Sequence, residues 1–147
     1  MIVGRMLRPR VAASLVVVLL LTRCSAAPMS DPAHPASTSG WIETRLYFGL
    51  GPADRPAAGV GESGWRDFLD HEVTPRFPDG LSVLDVYGQW QGPGAVAPER
   101  LRSKLLVIDC PDTAASRTRI EAIRRAWRRR TGDRSVLRVT EKAEVSF

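Results

Sequence analysis

The sequence predicts one α+β domain in which strands and helices follow the order βαββαβ. Four β-prone runs are separated by turn residues, and two other segments place their apolar residues at helical spacing. The length of 147 residues is enough for one hydrophobic core. Hydrophobic residues make up 44% and charged residues 25% of the chain, which is the balance of a globular protein rather than a disordered one.

The first strand is predicted over residues 44–50, where side chains roughly alternate in polarity, and Gly51 ends it. The first helix follows, because Trp65, Phe68 and their apolar neighbours recur at helical spacing. Pro75 prevents this helix from continuing, since a proline restricts the residue before it and lacks a backbone N–H.

The second half of the domain supplies the other elements. Strands are predicted over residues 81–90, 103–109 and 135–140, and a helix is predicted from an N-cap at Asp112 to a stop at Gly132. The resulting order is that of the ferredoxin-like fold. It predicts a four-stranded antiparallel sheet with both helices on one face and the other face free.

The N-terminal part is predicted to be a signal peptide over residues 1–24. Three arginines precede an uncharged apolar run at residues 11–21, which is too short to cross a bilayer comfortably. A flexible linker over residues 25–40, rich in Ala, Ser and Pro, then leads to the domain at residues 41–147. We therefore expect an exported protein of the cell envelope.

Two ways of processing this signal remain open. The end of the signal, up to Cys24, resembles a lipobox, and lipidation of Cys24 would anchor the protein to a membrane. Arg23 departs from that pattern, because a small residue is expected there. The alternative is cleavage near Ala26 or Ala27, which would release a periplasmic or extracellular protein.

Charge and cysteine content argue against several kinds of partner. The 21 basic and 16 acidic residues give +5, but four arginines precede Cys24, so 17 against 16 leaves +1 after processing. We therefore expect no nucleic-acid partner. Cys110 would remain as a single thiol, and His71 is the one histidine of the domain, so we expect no disulfide, no metal site and no cofactor.

Short motifs in the domain resemble a known family. They are Thr-Pro-Arg-Phe-Pro at residues 74–78, Asp-Gly-Leu at residues 79–81 and Gly-Gln-Trp at residues 88–90, preceded by Leu-Tyr-Phe-Gly at residues 46–49. Over residues 44–147 the chain is similar to an uncharacterised bacterial exported family, domain of unknown function 3574. The resemblance implies a small exported or lipid-anchored protein and no established activity.

Strand alternation predicts a polar group on the free face of the sheet. If Leu84 and Val86 face the helices, four side chains gather on the opposite face: Tyr47, Asp85, Tyr87 and Gln89. A carboxylate, two phenols and an amide could bind a polar ligand or relay a proton. The alternative is a half-solvated sheet surface or a dimer interface in which the tyrosines pack.

Arg76 is a further candidate because it lies between two prolines. The prolines would hold its guanidinium in a fixed direction, which suits binding of a carboxylate or phosphate. The alternative is structural: Phe77 would fill the core and Arg76 would pair with a nearby aspartate.

The last helix and its flanks are strongly basic, with Arg117, Arg119, Arg124, Arg125, Arg128, Arg129, Arg130, Arg134 and Arg138. On a helical wheel the arginines surround an apolar seam of Ile120, Ile123 and Trp127 and form no single stripe. We interpret them as a solvated outer face. The functional alternative is adhesion to an anionic envelope surface.

Three functional hypotheses follow from the sequence. The leading one is a non-catalytic envelope protein whose free sheet face binds a partner protein, including a second copy of itself. The second is a small-molecule enzyme or ligand-binding domain that uses Tyr47, Asp85, Tyr87 and Gln89, and whether the chain is an enzyme stays open. The third is adhesion to an anionic surface through the basic helix.

Overall fold

The computed structural model describes residues 40–146, and the predicted order of elements is confirmed. The elements are β1 Trp41–Pro52, α1 Glu62–Phe68, β2 Ser82–Trp90, β3 Glu99–Pro111, α2 Ala114–Thr131 and β4 Leu137–Ala143. A π-helical turn, Leu69–Val73, extends α1. The predicted signal peptide, the lipidation site Cys24 and nearly all of the predicted linker lie outside the described residues.

The four strands form one antiparallel sheet in the order β2-β3-β1-β4, which confirms the α+β, ferredoxin-like prediction. The two central strands, β1 and β3, pair over almost their full lengths. Buried and half-buried residues alternate along the first ten positions of β1. Its buried side chains belong to one core cluster with those of both helices, so the helices cover one face of the sheet. We call the other face the open face.

Four aromatic rings fill the centre of the core between sheet and helices. Phe48 of β1 contacts Trp65 and Phe68 of α1 and Trp127 of α2, and the ring centroids of the six pairs lie 4.8–5.8 Å apart. Most pairs are tilted or edge-to-face, the arrangements that aromatic quadrupoles favour. This cluster joins both helices to the central strand.

The start of α2 differs by one residue from the prediction. Thr113, rather than Asp112, is the N-cap, and its Oγ1 accepts a hydrogen bond from the backbone N–H of Ser116 at 3.1 Å. Asp112 still belongs to the strand side, because its N–H donates to the carbonyl of Gly40 at 2.8 Å. Gly132 ends the helix at a φ of 79°, as predicted. Over the described residues, no helix has the length and apolarity needed to span a membrane.

The loop between β1 and α1 folds back onto the sheet at a glycine. The N–H of Val60 donates to the carbonyl of Leu50 at 2.7 Å, and a Cβ on Gly59 would lie 2.0 Å from that same oxygen. Only glycine fits this approach. Arg102 of β3 holds the loop from the other side by donating from Nη2 to the carbonyl of Ala58 at 2.9 Å.

Candidate functional site

The register of the sheet separates the polar side chains that were expected to share the open face. Asp85 of β2 pairs with Lys104 of β3, and Lys104 pairs with Phe48 of β1. Directly paired residues of neighbouring strands point to the same face. Phe48 is fully buried under the helices, so Asp85 lies on the helix side. The prediction that Asp85 shares a face with Tyr47 is therefore wrong.

The same alternation moves Tyr87 and Gln89 to the helix side, where they pair with Arg102 and Arg100. Both faces of β2 explain this orientation. Leu84 pairs with Leu105 on the open face, so the apolar residues at alternate positions of this edge strand pack on the open face. On the helix side the polar residues of β2 remain in solvent, because α1 is short and does not reach over them. The 63% exposure of Tyr87 shows this.

Lys104 is the buried charge of this region. Its side chain is 9% exposed, and its Nζ lies 2.7 Å from Oδ1 of Asp85 and 3.0 Å from Oε2 of Glu62. The hydrogen bond to Asp85 is the largest influence that raises the pKa of Lys104, so the amine stays protonated. The bond to Lys104 lowers the pKa of Glu62. The arrangement ties β2, β3 and α1 together and offers no neutral amine as a nucleophile.

A row of cations thus accompanies the polar residues of β2. Lys104, Arg102 and Arg100 occupy alternate positions of β3, and Nε of Arg100 donates to Oε1 of Gln89 at 3.3 Å. Nε of Arg102 is buried without a hydrogen-bond partner. Sequence reasoning missed these three cations, although their spacing of two residues in a β-prone run is the signal that would have placed them on one face.

The open face carries an apolar row that crosses all four strands. The residues pair in the order Leu84, Leu105, Tyr47, Leu137, and we call them the open-face row. Its two ends are exposed, with Leu84 at 49% and Leu137 at 60%. By alternation Trp90 lies on the same face and is 51% exposed. Tyr47 thus lies where it was predicted, among aliphatic side chains.

An acidic row lies four residues further along the strands of the open face. Glu43 pairs with Asp109 on one side and with Glu141 on the other. Arg45 lies between this acidic row and the open-face row, 2.5 Å from Glu43 and 3.6 Å from Glu141. Partial desolvation, and secondarily the Glu43 carboxylate, raise the pKa of Asp109. The open face is therefore apolar at its centre and acidic toward one end.

Arg76 is fixed in place, but its partner is not an aspartate. Its Nη1 donates to the backbone carbonyl of Glu72 at 2.5 Å and lies 3.0 Å from Oε2 of the same residue. Phe77 beside it is buried in the core, as the structural alternative expected. The rest of Arg76 borders a pocket at the end of the sheet.

His71 is exposed on the π-helical turn that follows α1. Its Nδ1 lies 2.9 Å from the backbone carbonyl of Asp67 and 3.1 Å from Oδ1 of that residue, and these contacts raise the pKa of the imidazole. Oδ2 of Asp67 also pairs with Arg130 of α2 at 2.7 Å. Within residues 40–146, no group of three His, Cys, Asp or Glu side chains is placed to hold a metal ion.

Ion pairing distinguishes two sets among the arginines of α2 and of the residues just after it, and Arg119 belongs to neither set. Arg117, Arg124 and Arg130 each pair with an acid, at 2.6 to 2.9 Å. Four others make no ion pair within the described residues and line one shallow depression at the C-terminal end of α2: Arg125, Arg128, Arg129 and Arg134. We call these four the arginine patch. The first three lie on the side of the helix away from its buried residues.

Comparison with known proteins identifies a family and a fold. A family model described as "Protein of unknown function (DUF3574)" matches residues 43–147. No curated protein has a significant match to the chain. A solved structure of a phage SAM lyase in complex with S-methyl-5'-thioadenosine is similar in fold, with a TM-score of 0.56 and 14% sequence identity, over 75% of this chain and 92% of the lyase.

Proposed function

We propose that this chain, which belongs to the family described as Protein of unknown function (DUF3574), is an exported envelope protein that acts as a non-catalytic interaction domain. The open face of the sheet is its binding surface, and a second copy of the chain is its partner. The open-face row carries this proposal. A band of leucines and a tyrosine across a whole sheet, with half-exposed ends, is an apolar surface of the kind that marks association sites.

The composition of β3 supports a covered open face. Leu105, Leu106, Val107 and Ile108 form an uninterrupted apolar run in this central strand. A strand with one face in water alternates between apolar and polar residues, whereas a continuous run is typical of strands buried on both faces. The side chains of Leu105 and Val107 point to the open face and would be buried by a partner.

The distribution of charge favours a second copy in one orientation. The open-face row has the acidic row on one side and the uncharged Gly49, Ser103 and Val86 on the other. A two-fold axis along the open-face row would reverse the strand direction of the second copy. The acidic rows would then lie at opposite ends of the interface, and like charges would not meet.

Thiol crosslinking in cells tests this arrangement. A residue on the two-fold axis faces its own counterpart across two sheets about 10 Å apart, so Leu105→Cys and Leu84→Cys should each give a covalent dimer with a short bis-maleimide crosslinker. The matched control is Arg125→Cys, an exposed position on the outer side of α2, which should stay monomeric like the wild type. Equal trapping at Arg125→Cys, or none at either leucine position, would contradict the proposal.

Association of the purified protein provides an independent measurement. Sedimentation velocity over a concentration series should show a monomer–dimer equilibrium, and Leu105→Lys should shift it to monomer because a charge would be buried in the apolar row. A wild-type chain that stays strictly monomeric at high concentration would remove the second copy from the proposal.

The envelope location is tested at the predicted lipidation site. If Cys24 is lipidated, labelled palmitate should be incorporated into the wild type and not into Cys24→Ala. Equal labelling of the two would contradict lipidation at that residue. Recovery of the uncleaved chain from the cytoplasmic fraction would contradict export itself.

Adhesion to an anionic surface is a second candidate, and the arginine patch is the observation that favours it. Like charges at helical spacing repel one another, and none of the four arginines makes an ion pair with a described acid, although Asp133 lines the same depression. Cosedimentation with phosphatidylglycerol vesicles should weaken as salt rises and should fall in Arg125→Gln/Arg129→Gln. Arg117→Gln is the matched control, because Arg117 is paired with Asp112.

A small-molecule site that combines Tyr47 with Asp85, Tyr87 and Gln89 is not part of the proposal. The first residue lies on the open face, and the other three lie on the helix side. The similarity to the phage SAM lyase is one of fold, and we carry no lyase activity over to this chain.

A further inference from the structure

A pocket of about 480 Å³ lies at the end of the sheet where β2 begins, β3 ends and α2 starts. It exists because the two strands differ in length. β2 begins at Ser82, which pairs with Val107, so in the described structure β3 continues to Pro111 without a strand partner on that side. Residues 76–81 pass over the gap and close the pocket.

The floor of the pocket is apolar and rigid. It is formed by Phe77, Leu81, Val107, Cys110 and Trp41, of which Phe77 and Cys110 are buried in the core cluster. Burial raises the pKa of the Cys110 thiol, which therefore stays uncharged. The floor is suited to an apolar body rather than to a charge.

The turn that closes the pocket depends on one glycine. Gly80 has a φ of 143°, which disfavours any other residue, and a Cβ there would meet no atom within 4 Å. The backbone conformation, and not a lack of space, is therefore what favours glycine at this position.

Two arginines stand at the rim on different elements. Arg76 is held by Glu72 and is 31% exposed, whereas Arg119 of α2 makes no ion pair or hydrogen bond with the described residues. Two acids, Asp79 and Asp109, also border the pocket. Because Arg119 is not neutralised by an ion pair with any described acid, its guanidinium is available to an anionic ligand beside that of Arg76.

We infer that this pocket binds a small organic acid, whose apolar body rests on the floor and whose carboxylate is held by Arg76 and Arg119. Guanidinium groups match the planar geometry of a carboxylate and form strong charge-assisted hydrogen bonds with it. A cavity of this size with an apolar lining and a few polar groups is typical of small-molecule sites. The four residues of the open-face row do not border this pocket, although Val107 on the same face of β3 does.

Ligand-observed saturation-transfer NMR on the purified full-length chain tests the inference, with benzoate as the probe and benzyl alcohol as its uncharged counterpart. Benzoate should bind at millimolar concentration or below, and benzyl alcohol should bind more weakly. Arg119→Gln and Arg76→Gln should each weaken benzoate by about tenfold or more, since a hydrogen bond to a charged group is lost.

Arg117→Gln is the matched control, because Arg117 lies on the same helix but does not border the pocket. Ala115→Trp provides a second variant that is safe for folding, since Ala115 is exposed at the pocket wall. Its indole should block benzoate without a change of charge. No saturation transfer to benzoate, an equal loss in Arg117→Gln, or full binding in Ala115→Trp would overturn the inference.

Discussion

Both faces of the sheet carry large apolar side chains, and these side chains differ in exposure. On the helix side Leu106 is fully buried beneath α1 and α2, whereas its neighbour Leu105 belongs to the open-face row. Trp127 is enclosed by the aromatic cluster, and Trp90 on the open face is half exposed. The difference indicates two roles: apolar side chains under the helices stabilise the fold, and those on the open face are available for association.

The largest expected difference in unfolding free energy is between Trp127→Ala and Trp90→Ala. Trp127→Ala should lower the free energy of unfolding by about 3–5 kcal/mol, because it opens a cavity in the aromatic cluster. It also removes the hydrogen bond from Nε1 to Asp133 at 3.0 Å. Trp90→Ala should lower it by less than about 1 kcal/mol, since the ring is half exposed. Urea unfolding of both variants measures the difference, and similar losses would break the comparison.

Neighbouring leucines of β3 give a sharper test with the same side chain. Leu106→Ala should cost about 2–5 kcal/mol of unfolding free energy, and Leu105→Ala should cost clearly less when both are measured at low protein concentration. At high concentration Leu105→Ala should reduce dimer formation, while the dissociation constant of folded Leu106→Ala should be close to that of the wild type. The reverse pattern would show that the open face stabilises the monomer.

Among the described residues Lys104 is the one charged residue that is buried, and it should make stability depend on pH. The pKa of Glu62 is lowered in the fold, so its contribution is present above its unfolded pKa and is lost as pH falls through the folded value. Lys104→Met should keep or raise the unfolding free energy at neutral pH and flatten this acid limb. Thermal melts from neutral to acidic pH provide the measurement. An unchanged acid limb would exclude Lys104 as its cause.

The smallest effect is expected at the exposed His71. Contacts with Asp67 raise its pKa, so its contribution is complete below the unfolded pKa and is lost as pH rises through the folded value. The melting temperature of the wild type should fall slightly as pH rises from mildly acidic to mildly alkaline values, and His71→Gln should not show this fall. A difference as large as that of the leucine variants would mean that this helix surface is not simply solvated.

The sequence was sufficient for β1 and insufficient for β2, and the reason is their position. In β1 a strand pairs on each side and helices cover one face, so the alternation of Leu46 and Phe48 decides the orientation. In β2 the sequence pattern predicts that Leu84 and the residues at alternate positions from it face the helices, because this set is the more apolar one. In the structure Val83 packs against the core instead, in a register in which Asp85 pairs with Lys104.

Other features of the candidate site were predictable where they depend on residues close in sequence, and were not predictable where they depend on residues of distant elements. The exposure of His71 was predictable from helical spacing, whereas Arg76 is held by Glu72, four residues before it, and the flanking prolines did not indicate that partner. The burial of Lys104 was not predictable either, because it depends on Asp85 and Glu62 from two other elements. The pocket beside Arg76 depends on the unequal lengths of β2 and β3, which turn residues alone do not reveal.

The position of Trp41 at one end of β1 has a geometric consequence for an anchored pair. A two-fold axis through Tyr47 would place the two chain starts on opposite ends of the dimer, roughly 40 Å apart at the usual rise of a strand. Residues 25–40 span at most about 55 Å when fully extended. Two copies held by the same bilayer could therefore pair with their strands parallel to the membrane, and the reach of the two tethers would then set how far from the bilayer the dimer could lie.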